Sequence, residues 1–387
     1  MNEKDNVVLL GVGDIAVMTY SPKWENLIRS IRGKESIFAK VSDMLNKADV
    51  AFCQLEIPLT DKSPFSLPQA RRADYARTET AYELKRAGFD VVSFASNHCM
   101  DWGLETFFDT INALEKAGLK VVGVGKNLEE ARKPVFVESK GVKIAFLAYN
   151  SILPMGYWAT DSRPGCAPLR AFTLYEQIEH DQPGTPCRIH TFPHRQDLQA
   201  MISDIKNAKS KADIVILSLH WGIHFIPAVL ADYQRDVAYA AIDAGADLIL
   251  GHHPHILKPI EVYRDKVIFY SLCNFAADLP FTKEMLQEKG FREIQKLNPK
   301  WIPDPECLYN LPPDAEKTII AKCEISDGSI KKVSFLPVYI DRKTAMPEIL
   351  KSGDKRFKEV VDYLEEITRS QGIDTEFTVI GDEVVLV

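Results

Sequence analysis

The sequence predicts an α/β fold, on three observations. Short apolar runs recur with helical stretches between them, and three of those stretches close on Ala-Gly at residues 87–88, 117–118 and 244–245. Five of the apolar runs end at once in a residue able to bind a metal. Helix-then-strand alternation of this kind builds mainly parallel central strands, and the paired runs later in the chain add hairpins at the flanks.

The first run, Val-Val-Leu-Leu-Gly-Val-Gly, ends in Asp14. A helical stretch from about 35 to 46 leads to the run 50–55, which ends at Glu56 and is broken by Pro58. Residues 79–87 read as a helix stopped by Gly88, and 89–95 as a strand ending in Ser-Asn97-His98. Helix 104–117 delivers the strand 120–124, which carries no ligand. A hairpin-like pair, 135–138 and 142–149, follows.

Residues 150–195 are rich in Pro, Gly, Arg and aromatic residues and have no sustained period, so they read as an irregular, ordered lid. Helix 197–208 then leads to a strand ending at His220, and helix 231–244 to the run 248–250 and the stretch Gly-His252-His253-Pro-His255. In an extended segment side chains alternate, which puts His253 and His255 on one side and turns His252 away. The pairs 260–263 with 267–272 and 318–325 with 330–338 read as hairpins, and the Pro- and charge-rich stretch 280–315 as loop. A helix at 354–370 and a last pair, 377–380 with 384–387, form a small C-terminal α+β extension. The organisation expected is one domain over 1–340, with its lid at 150–195, and an extension over 341–387.

Composition narrows the function. With 387 residues and 46% hydrophobic content the chain has ample material for a core, and its net charge of -7 argues against nucleic acid as a partner. No run of about 18 apolar residues is present, so no transmembrane segment is expected, and a cytoplasmic location is expected. Seven cysteines without a CxxC spacing fit reduced thiols better than a disulfide framework.

In α/β sheets ligands bind beyond the carboxyl ends of the strands, so Asp14, Glu56, Asn97-His98, His220 and His253/His255 would converge on one crevice. Carboxylates, an amide oxygen and imidazoles without thiolates suit one or two divalent ions of Mn, Fe, Zn or Co. Hydrolysis is the default chemistry of such a centre. Each residue also has a plain structural reading: Asp14 and Glu56 as turn-starters or helix caps, His98 as a satisfied buried histidine, Asp101 as a helix cap. Trp102 and Trp221 read as core. Arg71, Arg72, Arg77, Arg163 and Arg170 are candidates for an anion grip or for a solvated loop face.

The blocks Val-Gly-Asp14, Gln-Leu-Glu56-Ile-Pro-Leu-Thr, Ala-Gly-Phe-Asp-Val-Val-Ser-Phe-Ala-Ser-Asn97-His98-Cys-Met-Asp101-Trp-Gly, His220-Trp-Gly, Gly-His-His253-Pro-His255 and Tyr-Ser-Leu-Cys-Asn274-Phe follow one another over most of residues 7–278. In these blocks the chain resembles the CapA, or poly-γ-glutamate capsule-synthesis, family of the calcineurin-like metallophosphoesterase superfamily. The resemblance implies a four-layer α/β/β/α sandwich. It further implies that Asp14 and His255 hold one ion, that Asn97, His220 and His253 hold another, and that Glu56 bridges them. His98 would face the substrate as general acid, with Asp101 holding its tautomer.

Three positions depart from the pattern. Ala16 stands where the superfamily has the histidine of its Asp-x-His motif, His224 where the family often has glutamate, and Cys273 where glycine is usual. The leading expectation is a metal-dependent hydrolase of poly-γ-glutamate or a related peptide amide, with an anionic polymer or peptide-like substrate met by Arg71, Arg72, Arg163 and His224. Phosphoesterase, metal-assisted peptide epimerase and non-catalytic assembly protein are the alternatives, and the sequence leaves the oligomeric state open.

Overall fold

The computed structural model describes residues 6–68, 70 and 74–387. Two large sheets face each other. In the first, the parallel strands Val7–Ala16, Val50–Leu55, Val91–Ser93 and Lys120–Val122 lie side by side, continued beyond Val7–Ala16 by the antiparallel pair Lys317–Ser326 and Ser329–Ile340. The C-terminal strands Glu383–Leu386 and Phe377–Ile380 extend the same edge, so the segment beyond 341 joins this sheet. In the second, Val142–Asn150, Ile214–His220, Leu248–His252 and Lys266–Phe269 run parallel, flanked by Val135–Ser139 and Ile260–Tyr263.

Burial on both faces of these parallel strands explains their near-continuous apolar sequences. Side-chain alternation sends Ile144, Phe146, Ile216 and Leu250 into the cluster between the sheets, and Leu147, Leu217 and Ile249 into a second cluster with Met201, Ile205, Val237 and Ala241. Those last four come from the helices Arg195–Lys209 and Asp232–Ala244. The outer face of the first sheet is covered by Glu25–Arg32, Glu79–Ala87 and Gly103–Lys116, through Ile28, Leu84 and Leu114. Helices, sheet, sheet and helices make four layers, as the family resemblance implies. Phe52 and Phe146 stack across the middle with centroids 5.6 Å apart.

Within each sheet the chain closes tightly near these strand ends. A Cβ on Gly13 would lie 2.1 Å from the Cys273 carbonyl oxygen, and one on Gly251 2.2 Å from that of Tyr270, so neither position tolerates a side chain.

Three stretches differ from the sequence reading. The stretch expected to be helical from about 35 to 46 forms turns and a single helical segment, Ser42–Leu45. Part of the supposed irregular lid is a hairpin, Ala171–Gln177 with Cys187–Pro193. Both its faces carry exposed apolar groups, among them Phe172 and Phe192 on one and Tyr175 and Ile189 on the other, which erases the apolar-polar alternation that marks a strand. The loop expected over 280–315 contains the helix Lys289–Leu297. Among the described residues no helix is long and apolar enough to cross a membrane.

Candidate metal centre

The parallel strands of both sheets end together. Asp14 lies near the end of its strand, Glu56 follows Val50–Leu55, Asn97 and His98 follow Val91–Ser93, and His220 ends Ile214–His220 beside His252 in register. Among the described residues, Glu56, His220 and His253 each place a ligand atom within 4.8 Å of the others, all buried. His220 Nε2 lies 2.7 Å from Asn97 Oδ1, 3.2 Å from His253 Nδ1 and 3.8 Å from Glu56 Oε2. One ring nitrogen carries at most one proton and cannot satisfy all these neighbours. Atoms that share a cation at about 2.1 Å stand about 3 Å apart, so this crowding of acceptors fits a divalent ion. Glu56 Oε1 has no hydrogen-bond partner, which leaves a buried oxygen for the same purpose.

Electrostatics agree. Desolvation, then the charge of Asp14, pushes the Glu56 carboxyl up to about 8, while desolvation pushes His220 down to about 3. His253 is likewise driven well below its ordinary value by burial and then by the neighbouring imidazoles. Neutral imidazoles with free lone pairs are the metal-binding form.

Beside this cluster stands a second, differently furnished pair. Asp14 Oδ2 accepts from the His253 backbone N–H at 2.9 Å and lies 3.6 Å from His255 Nδ1, while Oδ1 lies 3.1 Å from His252 Nδ1. Burial works to raise the Asp14 carboxyl, but the hydrogen bond and charge of His252, with the charges of His220 and His255, outweigh it and hold it low. His255 Nδ1 lies 2.9 Å from Asn274 Oδ1, and Asn274 Nδ2 donates to the Tyr309 hydroxyl at 2.8 Å.

Alternation does not describe the histidine stretch. The strand ends at His252, and His253 and His255 adopt φ of 93° and 56°, so a left-handed turn, not a pleat, aims them. His252 is turned from its neighbours, as alternation predicts, but it points into the core against Asp14 and Phe52. Left-handed backbone at non-glycine residues costs about 1–3 kcal/mol each and gathers at functional sites.

His98 Nδ1 lies 2.6 Å from Asp101 Oδ2, and His98 Nε2 lies 3.9 Å from Glu56 Oε1, so this pair borders the cluster. His224 stacks on His253 with centroids 3.8 Å apart and lies 5.1 Å from His255, placing it over the ligand rings. Its loop is stapled from below by Lys258, whose buried Nζ donates to the carbonyls of Ile226 and Val229. Lys258 and Tyr309 are absent from the sequence reading, and neither follows a strand in a way that would mark it.

Arg163 is exposed in a turn closed by backbone bonds with Thr160, without a hydrogen bond or ion pair to the candidate ligands. Arg71 and Arg72 lie outside the described residues. Arg170 is committed to Asp197 at 2.7 Å. Trp221 is fully buried and stacks on Tyr270.

Residues 8–279 match the family described as Bacterial capsule synthesis protein PGA_cap, which covers most of the chain and every candidate ligand. The chain belongs to this family. Similar PGA_cap relatives include the PGA biosynthesis protein CapA of Bacillus subtilis (strain 168), 34% identical over 275 residues, and the capsule biosynthesis protein CapA of Bacillus anthracis, 31% identical over 283. These alignments take in 70% and 73% of this chain but 63% and 62% of the relatives, so the chain spans less than two thirds of either. Among solved structures, the calcineurin-like phosphoesterase YfkN from Bacillus subtilis overlaps 95% of this chain and 97% of its own at a TM-score of 0.42 and 13% identity.

Proposed function

We propose that this PGA_cap protein is a metal-dependent hydrolase acting on poly-γ-glutamate or a related peptide amide. The observation that carries the reading is the buried convergence of Glu56, His220 and His253, with Asn97 Oδ1 2.7 Å from His220 Nε2. The names of its relatives, which concern PGA and capsule biosynthesis, supply the substrate class. Glu56, Asn97, His220 and His253 would hold a divalent ion of Mn, Fe, Zn or Co. When bound, the cation supplies Lewis acidity, polarising the scissile carbonyl and activating water.

The rest falls to the chain. Asp101 accepts from His98 Nδ1–H, which leaves Nε2 on the side of Glu56 and the reacting amide. There His98 Nε2 would take up a proton from the water that adds to the carbonyl and pass it to the departing nitrogen as the C–N bond breaks, the step that makes an amine a competent leaving group. His224, over the rings of His253 and His255, covers the centre and restricts water on that side.

The test is elemental analysis of the purified protein beside His253→Ala, with hydrolysis of poly-γ-glutamate measured after supplying Mn, Fe, Zn or Co. Bound metal in the parent, its loss in the variant and release of γ-glutamyl fragments are expected. Bound metal with turnover of phosphoesters alone would move the assignment to phosphoesterase, and a metal-free parent would end it.

A further inference from the structure

Tyr157 belongs to the 150–195 segment, yet it is fully buried and its hydroxyl donates to Asp101 Oδ1 at 2.8 Å. The other oxygen of that carboxylate, Oδ2, is the one 2.6 Å from His98 Nδ1. Asp101 is itself 2% exposed, so both bonds form away from water, where an ionised carboxylate depends on the donors around it. Burial and then Asp101 push the Tyr157 phenol far above its ordinary value, so it remains a donor across the physiological range.

The backbone that places the phenol is tightly specified. Cys166 N–H donates to the Tyr157 carbonyl and Ala159 N–H to that of Cys166, both at 2.9 Å. A Cβ on Gly165 would lie 2.5 Å from the Tyr157 carbonyl oxygen, so only glycine lets the two stretches close. The closed turn is anchored on the second sheet by Asn150 N–H to the Ala167 carbonyl at 3.0 Å, and just past the first-sheet strand Lys120–Val122 by Ala167 N–H to the Gly123 carbonyl at 2.9 Å. The segment read from sequence as a lid therefore sends one side chain beneath the candidate acid.

We propose that Tyr157 is a positioning residue, whose phenol holds Asp101 Oδ1 and so aims Oδ2 at His98 Nδ1. A carboxylate with two donors is less basic towards each than a carboxylate with one, and it cannot swing. Removing the phenol would leave Oδ1 buried without a partner, and Asp101 would draw harder on the remaining proton. The consequence for turnover rests on the hydrolase reading; the hydrogen bond does not.

The experiment follows the His98 ring proton by nuclear magnetic resonance in zinc-loaded protein carrying nitrogen-labelled histidine, with His98→Gln identifying the signal. In Tyr157→Phe the signal moves downfield, and kcat for γ-glutamyl hydrolysis falls about tenfold at unchanged KM. Replacing tyrosine by 3-fluorotyrosine in the otherwise unaltered chain makes the phenol a stronger donor and moves the signal upfield, a result that does not depend on a variant folding. A signal unmoved by both changes overturns the proposal. If no preparation cleaves γ-glutamyl amides, the hydrolase reading falls while the signal still decides what Tyr157 does.

Discussion

The two halves of the candidate centre are built from the same residue types and sit in different electrostatic surroundings. Around Glu56, Asn97, His220 and His253, acceptor atoms face one another; Glu56 Oε2 accepts from the Ser96 hydroxyl at 3.0 Å and Oε1 has no hydrogen-bond partner. Around Asp14 and His255 the His253 N–H donates to Asp14 Oδ2 and Asn274 meets His255, while Asp14 Oδ1, 3.1 Å from His252 Nδ1, has no hydrogen-bond partner. Each carboxylate keeps one buried oxygen without a hydrogen-bond partner, but Asp14 faces imidazoles that hold its charge whereas Glu56 faces the charge of Asp14. Among the described residues three ligand atoms gather around Glu56, His220 and His253, so a cation is expected to bind more strongly there than at Asp14 and His255, the side on which Ala16 follows Asp14 along its strand.

The largest effect that could break this comparison comes from the ligands. His220→Ala or His253→Ala is expected to weaken cation binding more than about 100-fold, and His255→Ala about tenfold or less, by titration with Mn and elemental analysis. Equal losses would erase the distinction. His252→Ala, which strips the buried partner from Asp14, is expected to cost about 3 kcal/mol of stability in urea unfolding while leaving Mn affinity within a few-fold.

A smaller effect is set by pH. Burial keeps Glu56 protonated up to about 8, above its ordinary 4.5, so a cation binding at lower pH must expel that proton. Affinity should rise about tenfold per pH unit towards 8 and level off above it, with proton release visible by calorimetry in buffers of different ionisation heat. Affinity that falls with pH would contradict the arrangement at Glu56. The smallest change is Ala16→His, expected to raise the bound stoichiometry from one ion towards two.

Most of the architecture was legible because parallel strands buried on both faces leave uninterrupted apolar runs, and helices capped at Gly88 and Gly245 leave an unmistakable stop; both glycines are left-handed, with φ of 113° and 116°. The candidate ligands were legible for the same reason, since each follows such a run. What escaped notice lies off the strands. The helix Glu25–Arg32 gave no early signal, and the hairpin at 171–193 hides its period by exposing apolar groups on both faces. Tyr157, Lys258 and Tyr309 act through hydroxyls and an amine brought in by tertiary folding, and no local pattern foretells where a loop will place one atom.

The left-handed turn at His253 and His255 also bears on kinetics. Because folding itself holds these residues in an unfavourable backbone state, an arriving ion meets imidazoles whose directions are already set and has little chain left to order. Loading should therefore proceed in one fast phase, paced by the ion shedding its water, and stripping the ion should leave the secondary structure standing.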